Sequence, residues 1–245
     1  MGFPRSGTTL LDQALSAHPQ VEVLEEFEFL DEVRRQWVEN NQLSRIASMT
    51  MEDLRAARTL YLEELLTRRK SPHRQVVIDK LPLNLVYLFL IHRLFPQSRI
   101  LFMQRDPRDA CLSSYCQSFD LQGAMPYFLD MHDTVTYYDK VMSLAMDTFR
   151  LISNPQATIC YEELVTEFET TMRKVVDFLG LEWDTCVMDY RDKSRSRMIH
   201  TPSYQQVIQP LYTGSIGRWQ NYREAMEPDL RELGPWVERF GYAAN

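Results

Sequence analysis

Met1-Gly2-Phe3-Pro4-Arg5-Ser6-Gly7-Thr8-Thr9-Leu10 opens the chain, and the apolar residues Leu10, Leu11, Ala14 and Leu15 continue it at helical spacing as far as Pro19. The stretch reads as a glycine-containing loop that opens a helix. Such a loop aims successive backbone N–H groups and the positive end of the helix dipole at one point, which suits a phosphate or sulfate group. Gly2 and Gly7 keep the glycine spacing of a Walker A loop, GxxxxGK[ST], but Thr8 stands at the lysine position and Arg5 brings positive charge from inside the loop instead. A plain proline-and-glycine turn with a Ser or Thr cap has the same composition, and the run from Arg5 to Thr9 favours the anion cradle over it. A loop of this kind is fed by a buried parallel strand of about five residues. Only Met1 to Phe3 precede Pro4, so the first strand is expected to be truncated.

Outward from the loop the chain alternates strand and helix. Val21 to Leu24 is a short apolar run ending in Glu25-Glu26, at the carboxyl end where open α/β sheets place ligands. Amphipathic helices are predicted near 27–40 and 51–69, the second carrying leucines at 54, 60, 62, 65 and 66 for packing alone. Gln75 to Lys80 reads as a buried strand, with Pro82 opening a helix that reaches Phe95. Ser98 to Met103 is a second buried strand, followed by Gln104-Arg105-Asp106-Pro107-Arg108-Asp109 and a helix through Ser118. A long helix near 125–152 leads to the strand Ala157 to Cys160, then Tyr161-Glu162 and a helix ending at Gly180. The pattern predicts an α/β fold, a doubly wound parallel sheet flanked by helices. From about 184 on, helix and irregular loop carry a basic run, Arg191, Lys193, Arg195, Arg197 and His200, which is either a solvated face or a lid over an anionic ligand. With no repeats or Gly/Ser linkers, residues 1–245 form one domain.

At 245 residues the chain is long enough to bury a sizeable core, and with 44% hydrophobic and 25% charged residues it excludes collagen, wholesale disorder and a disulfide scaffold. A net charge of -7 repels a nucleic-acid backbone on average while leaving room for a local basic pocket, so no nucleic-acid partner is expected. The four cysteines, at 111, 116, 160 and 186, form no CxxC pair, and no His cluster stands at metal-ligand spacing; no metal is predicted, and a reducing cytoplasm is the simplest home. The most apolar stretch, Leu81 to Phe95, is interrupted by Pro82, Asn84, His92 and Arg93 and is too short to span a membrane.

Arg5-Ser-Gly-Thr-Thr9, Arg105 in RDPRD, Ser113 eight residues later, Tyr161-Glu162 after a strand and Gly217-Arg-Trp219 come in the order and spacing of the PAPS-dependent sulfotransferases, which the chain resembles from residue 2 to about 220. Ala17-His-Pro followed by Glu25-Glu26 makes it most similar to the tyrosylprotein sulfotransferases and their bacterial relatives associated with tetratricopeptide repeats. The resemblance implies a P-loop-type sheet and a PAPS co-substrate, with Arg5, Ser6, Gly7, Thr8 and Thr9 holding the 5′-phosphosulfate. It implies Arg105 and Ser113 on the 3′-phosphate, Tyr161 near the adenine and Arg218 as a basic residue of the closing C-terminal segment. Glu26 matches the general base, with Glu25 as its alternative, Lys80 the lysine that meets transition-state charge, and Ser203 a serine donor to the same group. The acceptor is a hydroxyl group, of a protein tyrosine, a sugar or a small alcohol, and a homodimer is compatible with this scheme. Two rivals remain: a P-loop kinase of a small substrate, disfavoured by Thr8, and a catalytically silent module that binds adenosine bisphosphate.

Overall fold

The computed structural model describes residues 1–38, 44–117, 123–191 and 213–243. Its framework is two pairs of parallel strands. Strand β1 (Val21–Glu25) pairs with β2 (Val76–Lys80), Val21 opposite Val76 and Glu25 opposite Lys80. Strand β3 (Ile100–Gln104) pairs with β4 (Gln156–Cys160), Ile100 opposite Gln156 and Gln104 opposite Cys160. Met1 to Phe3 lie between the pairs. The Met1 nitrogen donates to the Leu101 carbonyl (2.9 Å), Met103 donates back to Met1 (2.8 Å), and Gly2 bridges Met103 in parallel while its N–H reaches the Pro82 carbonyl at 3.1 Å. Glycine suits this position because a Cβ there would come within 2.7 Å of the Met103 carbonyl oxygen.

The strands read as unbroken apolar runs because both of their faces are covered. In β3, Leu101 and Met103 face one core with helices α1 (Thr8–Ser16) and α9 (Phe168–Phe178), while Ile100 and Phe102 face another with α7 (Met131–Leu151) and α10 (Glu227–Arg239). Leu24 and Val77 turn to a third core, built with α2 (Phe29–Trp37), α4 (Met51–Arg68) and α5 (Leu88–Leu94). Short helices α3 (Ser44–Ser48), α6 (Pro107–Tyr115) and α8 (Tyr161–Thr166) complete the order. Among the described residues no helix is long and apolar enough to cross a membrane.

Several boundaries differ from the sequence reading for local reasons. The segment after Pro82 begins as a 3-10 helix, Pro82–Tyr87, before turning α-helical. The long helix starts at Met131, because the Asp130 side chain caps it by accepting from the Asp133 N–H; Met125–Leu129 is a separate 3-10 turn. The predicted helix up to Gly180 breaks at Glu167 into α8 and α9. The leucines of α4 do not all pack: Leu54 is buried, but Leu62 and Leu66 are 43% and 58% exposed.

Candidate functional site

Parallel strands bring their carboxyl ends to one edge, and the predicted residues collect there: Glu25-Glu26 after β1, Lys80 ending β2, Arg105 after β3 and Tyr161 after β4, with the Pro4–Gly7 loop among them. Arg5 (φ 66°) and Glu26 (φ 59°) are the two non-glycine residues with left-handed backbone among those described, a strained conformation that concentrates at functional sites. Ser6, Thr8 and Thr9 are buried, and the first N–H groups of α1 open toward the loop. Gly7, at φ 95°, lies so close to Tyr161 that a Cβ would overlap the ring.

The loop is braced from behind. Arg5 Nε donates to Ser113 Oγ (3.1 Å), and Arg105 donates through its two terminal nitrogens to the carbonyls of Arg5 (2.6 Å) and Ser215 (2.7 Å) while lying 4.6 Å over the Tyr161 ring. The Tyr161 and Ser215 hydroxyls are 2.8 Å apart. Arg105 is buried, and its Nε has no hydrogen-bond partner among the described residues. Arg105 pairs with neither acidic neighbour, since Asp106 pairs with Arg108 (2.7 Å) and Asp109 accepts from the backbone of Gly217 (2.6 Å) and Trp219 (2.9 Å). Arg218 is exposed, 5.9 Å from the Tyr222 ring. A cavity of about 220 Å³ lined by Asp106, Arg108, Glu162, Trp219 and Tyr242 contains none of the predicted site residues.

Lys80 is the charged centre of the edge. Only 3% exposed, its Nζ lies 3.0 Å from both Asp12 Oδ2 and Glu26 Oε1. Burial pulls the ammonium toward neutrality, but the carboxylates of Asp12 and Glu26 outweigh it and hold its pKa above the usual lysine value. Burial pushes Asp12 up to about 7 against the pull of Lys80. Gln13 donates to Asp12 Oδ1 (2.9 Å) and Glu25 Oε1 (2.6 Å), so Glu25 turns back to α1 while Glu26, 35% exposed, faces the opening. The neighbouring Asp79, held by the Tyr61 hydroxyl at 2.9 Å, is raised by burial to about 6.

The structure thus brings together Arg5, Ser6, Gly7, Thr8, Thr9, Arg105, Ser113 and Tyr161 in one group and Glu26 with Lys80 in another beside it. Ser203 and the basic residues Lys193, Arg195, Arg197 and His200 lie outside the described residues. Asp12, Gln13, Asp109 and Ser215 were not singled out from the sequence. Asp12 had a signal, a carboxylate within the apolar run Leu10 to Leu15, one turn after Thr8. Among the described residues no group of three or more His, Cys, Asp or Glu side chains is placed to hold a metal ion.

The chain is similar to proteins of known sequence and structure. An uncharacterised protein of Aquifex aeolicus is 26% identical over 95% of this chain, which spans 31% of that protein's length. Protein-tyrosine sulfotransferase 2 of Gallus gallus is 28% identical over 98% of this chain and 68% of its own. Of solved structures, the sulfotransferase domain of the Synechococcus olefin synthase superposes with a TM-score of 0.61 at 17% identity, covering 89% of this chain and 85% of that one. A mouse sulfotransferase in complex with PAP superposes at 0.51 with 16% identity over 95% and 81%. The model of the sulfotransferase family matches residues 1–185, three quarters of the sequence, and the chain belongs to that family.

Proposed function

We propose that the chain transfers the sulfuryl group of 3′-phosphoadenosine 5′-phosphosulfate (PAPS) to a hydroxyl acceptor, with Glu26 as general base. The observation that carries this reading is the 3.0 Å contact of Lys80 with Glu26 at the strand-end edge that also bears the anion loop. The loop fits a phosphosulfate: Gly7 leaves no room for a side chain, and the N–H groups of α1 face outward beside Arg5. Ser6, Thr8 and Thr9 line that end of the ligand. The unpartnered Nε of Arg105 suits the 3′-phosphate, with Ser113 of the following helix α6 as its second residue. Tyr161 offers its ring to the adenine, Arg218 is the basic residue of the closing C-terminal segment, and Ser203 donates to the same group as Lys80.

Bound PAPS supplies the sulfuryl group and a stable bisphosphate leaving group. In a loose in-line displacement, negative charge builds on the oxygen that bridges sulfur and phosphorus, and Lys80 is the cation set to meet it. Glu26 accepts the acceptor's proton from the open side. The names of the relatives make a protein tyrosine the first acceptor to try, with a sugar or small alcohol next.

Thermal-shift titration of the full chain with adenosine 3′,5′-bisphosphate, AMP and Mg-ATP tests the reading. At about 100 times its Kd the bisphosphate stabilises by roughly 2.7 kcal/mol, and Arg105→Ala loses the shift. Radiolabelled sulfate then passes from PAPS to a tyrosine peptide, a sugar or a phenol, and the transfer is abolished in Glu26→Gln and Lys80→Ala. A shift with Mg-ATP alone overturns the reading in favour of a kinase, and bisphosphate binding without transfer to any acceptor leaves a binding module.

A further inference from the structure

Asp12 is an acidic residue in the second turn of a helix whose nine residues are all buried, and the transfer scheme gives it no part. Its two oxygens differ: Oδ1 accepts from Gln13 at 2.9 Å, while Oδ2 has no hydrogen bond among the described residues and forms an ion pair with the Lys80 ammonium 3.0 Å away. The same Gln13 side-chain nitrogen donates to Glu25, so the carboxylate is held by a neighbour on α1 that is itself tied to the end of β1. Lys80 is therefore gripped from two sides, by Asp12, which is 2% exposed, and by Glu26, whose side chain is 35% exposed.

These partners are not equivalent during transfer. The acceptor oxygen bonds to sulfur as the bond from sulfur to the bridging oxygen breaks; the electron pair leaves on the bisphosphate, and the acceptor's proton goes to Glu26. Glu26 becomes neutral at the moment when Lys80 has to carry full charge. A buried ammonium left without a counter-charge is strongly disfavoured. Resting on that transfer reaction, we propose that Asp12 is a positioning residue that keeps Lys80 charged and aimed while Glu26 takes up the acceptor's proton.

Asp12 is one helical turn beyond Thr8 and on the same face of α1. A single rigid helix thus sets both the anion loop at its start and the lysine behind it. The dependence is mutual, since burial raises the Asp12 carboxyl to about 7 and its charge is sustained by Lys80.

Reductive dimethylation with formaldehyde at pH 8, followed lysine by lysine by mass spectrometry, reads the state of Lys80 in the full chain without any co-substrate. The exposed Lys70, Lys140 and Lys174 serve as internal references. Glu26→Gln reproduces the neutral base, and the proposal expects Lys80 to stay protected there, within about two-fold of the wild type. Asp12→Asn raises its labelling about ten-fold, the gain in free amine that one unit of pKa produces, and Asp12→Glu restores protection. Equal protection of Lys80 in wild type and a folded Asp12→Asn overturns the proposal, as does exposure of Lys80 in Glu26→Gln alone. If Asp12→Asn does not fold, Lys80→Met is added to it: recovery of the fold supports a carboxylate buried for the sake of Lys80, and a double variant as unstable as the single one overturns it. Failure of the sulfuryl-transfer reading is separately visible as an absent bisphosphate shift.

Discussion

Arg5 and Glu26 occupy backbone conformations that L-residues avoid, and each sits at the strand-end edge, Arg5 reaching Ser113 and Glu26 reaching Lys80. Glycine would relieve either position and forfeit its chemistry, so strain and site are one feature. Gly7 shows the converse, a position where a side chain is excluded. Its left-handed φ and its contact with the Tyr161 ring predict that Gly7→Ala costs about 2–4 kcal/mol, read from urea melts, and abolishes bisphosphate binding. A melt within about 0.5 kcal/mol of wild type would show that the loop relaxes freely and that its shape does not define the site.

At the scale of elements, the RDPRD turn is divided between two tasks. Arg105 braces the Pro4–Gly7 loop, whereas Asp106, Arg108 and Asp109 hold the C-terminal segment against α6. Asp109 receives the N–H groups of Gly217 and Trp219, and Arg108, paired with Asp106, lies 4.0 Å over the Trp219 ring. Asp109→Ala leaves two backbone donors without acceptors, a loss of about 2–4 kcal/mol. Amide exchange at Gly217 and Trp219 should accelerate at least ten-fold while exchange in β3 keeps its rate; unchanged exchange at both would mean that packing of Trp219 alone secures the segment. The same turn shows how far the sequence could be read. Strands, helix order and the strand-end residues were legible because buried parallel strands are apolar runs and the turns after them carry their own signals. Arg105 was found, but its carbonyl partners were not, since Arg5 and Ser215 are 100 and 110 residues away and no local rule links them. Asp12 was missed for the same reason: its partner Lys80 is set beside it only by the sheet. The break at Glu167 and the two-faced α4 depend on what packs against them, which spacing alone does not encode.

For the whole molecule, buried titratable groups, the carboxyls and the Met1 amine, set how stability varies with pH. Asp12 is raised from an ordinary value of 3.8 to about 7 and Asp79 to about 6, both chiefly by burial, and Asp109 is raised in the same direction. A folded state that holds a proton which the unfolded chain has already released is favoured by acid. The stability that Asp12 and Asp79 contribute is complete below about pH 4 and is lost as pH rises through 6 and 7. Glu22 and Asp31 are shifted the other way, Glu22 by Arg69 and the backbone of Lys70 and Ser71 and Asp31 by Arg34 and Tyr87, against the cost of burial, but their window lies below their ordinary values of 4.5 and 3.8. Acidification also reduces the self-repulsion of a chain with net charge -7. Between pH 8 and 6 the buried carboxyls and the net charge favour acid, whereas the buried Met1 amine, lowered by burial from 8.0 to about 6, favours base, so the Asp12 share, on the order of 1 kcal/mol, is read as the difference in pH dependence between the wild type and Asp12→Asn. Scanning calorimetry at the two pH values checks it, with Asp12→Asn removing part of the slope and Asp79→Asn a smaller part nearer pH 6. A pH dependence of Tm left unchanged by Asp12→Asn would mean that Asp12 stays ionised throughout, its pairing with Lys80 stronger than the cost of its burial.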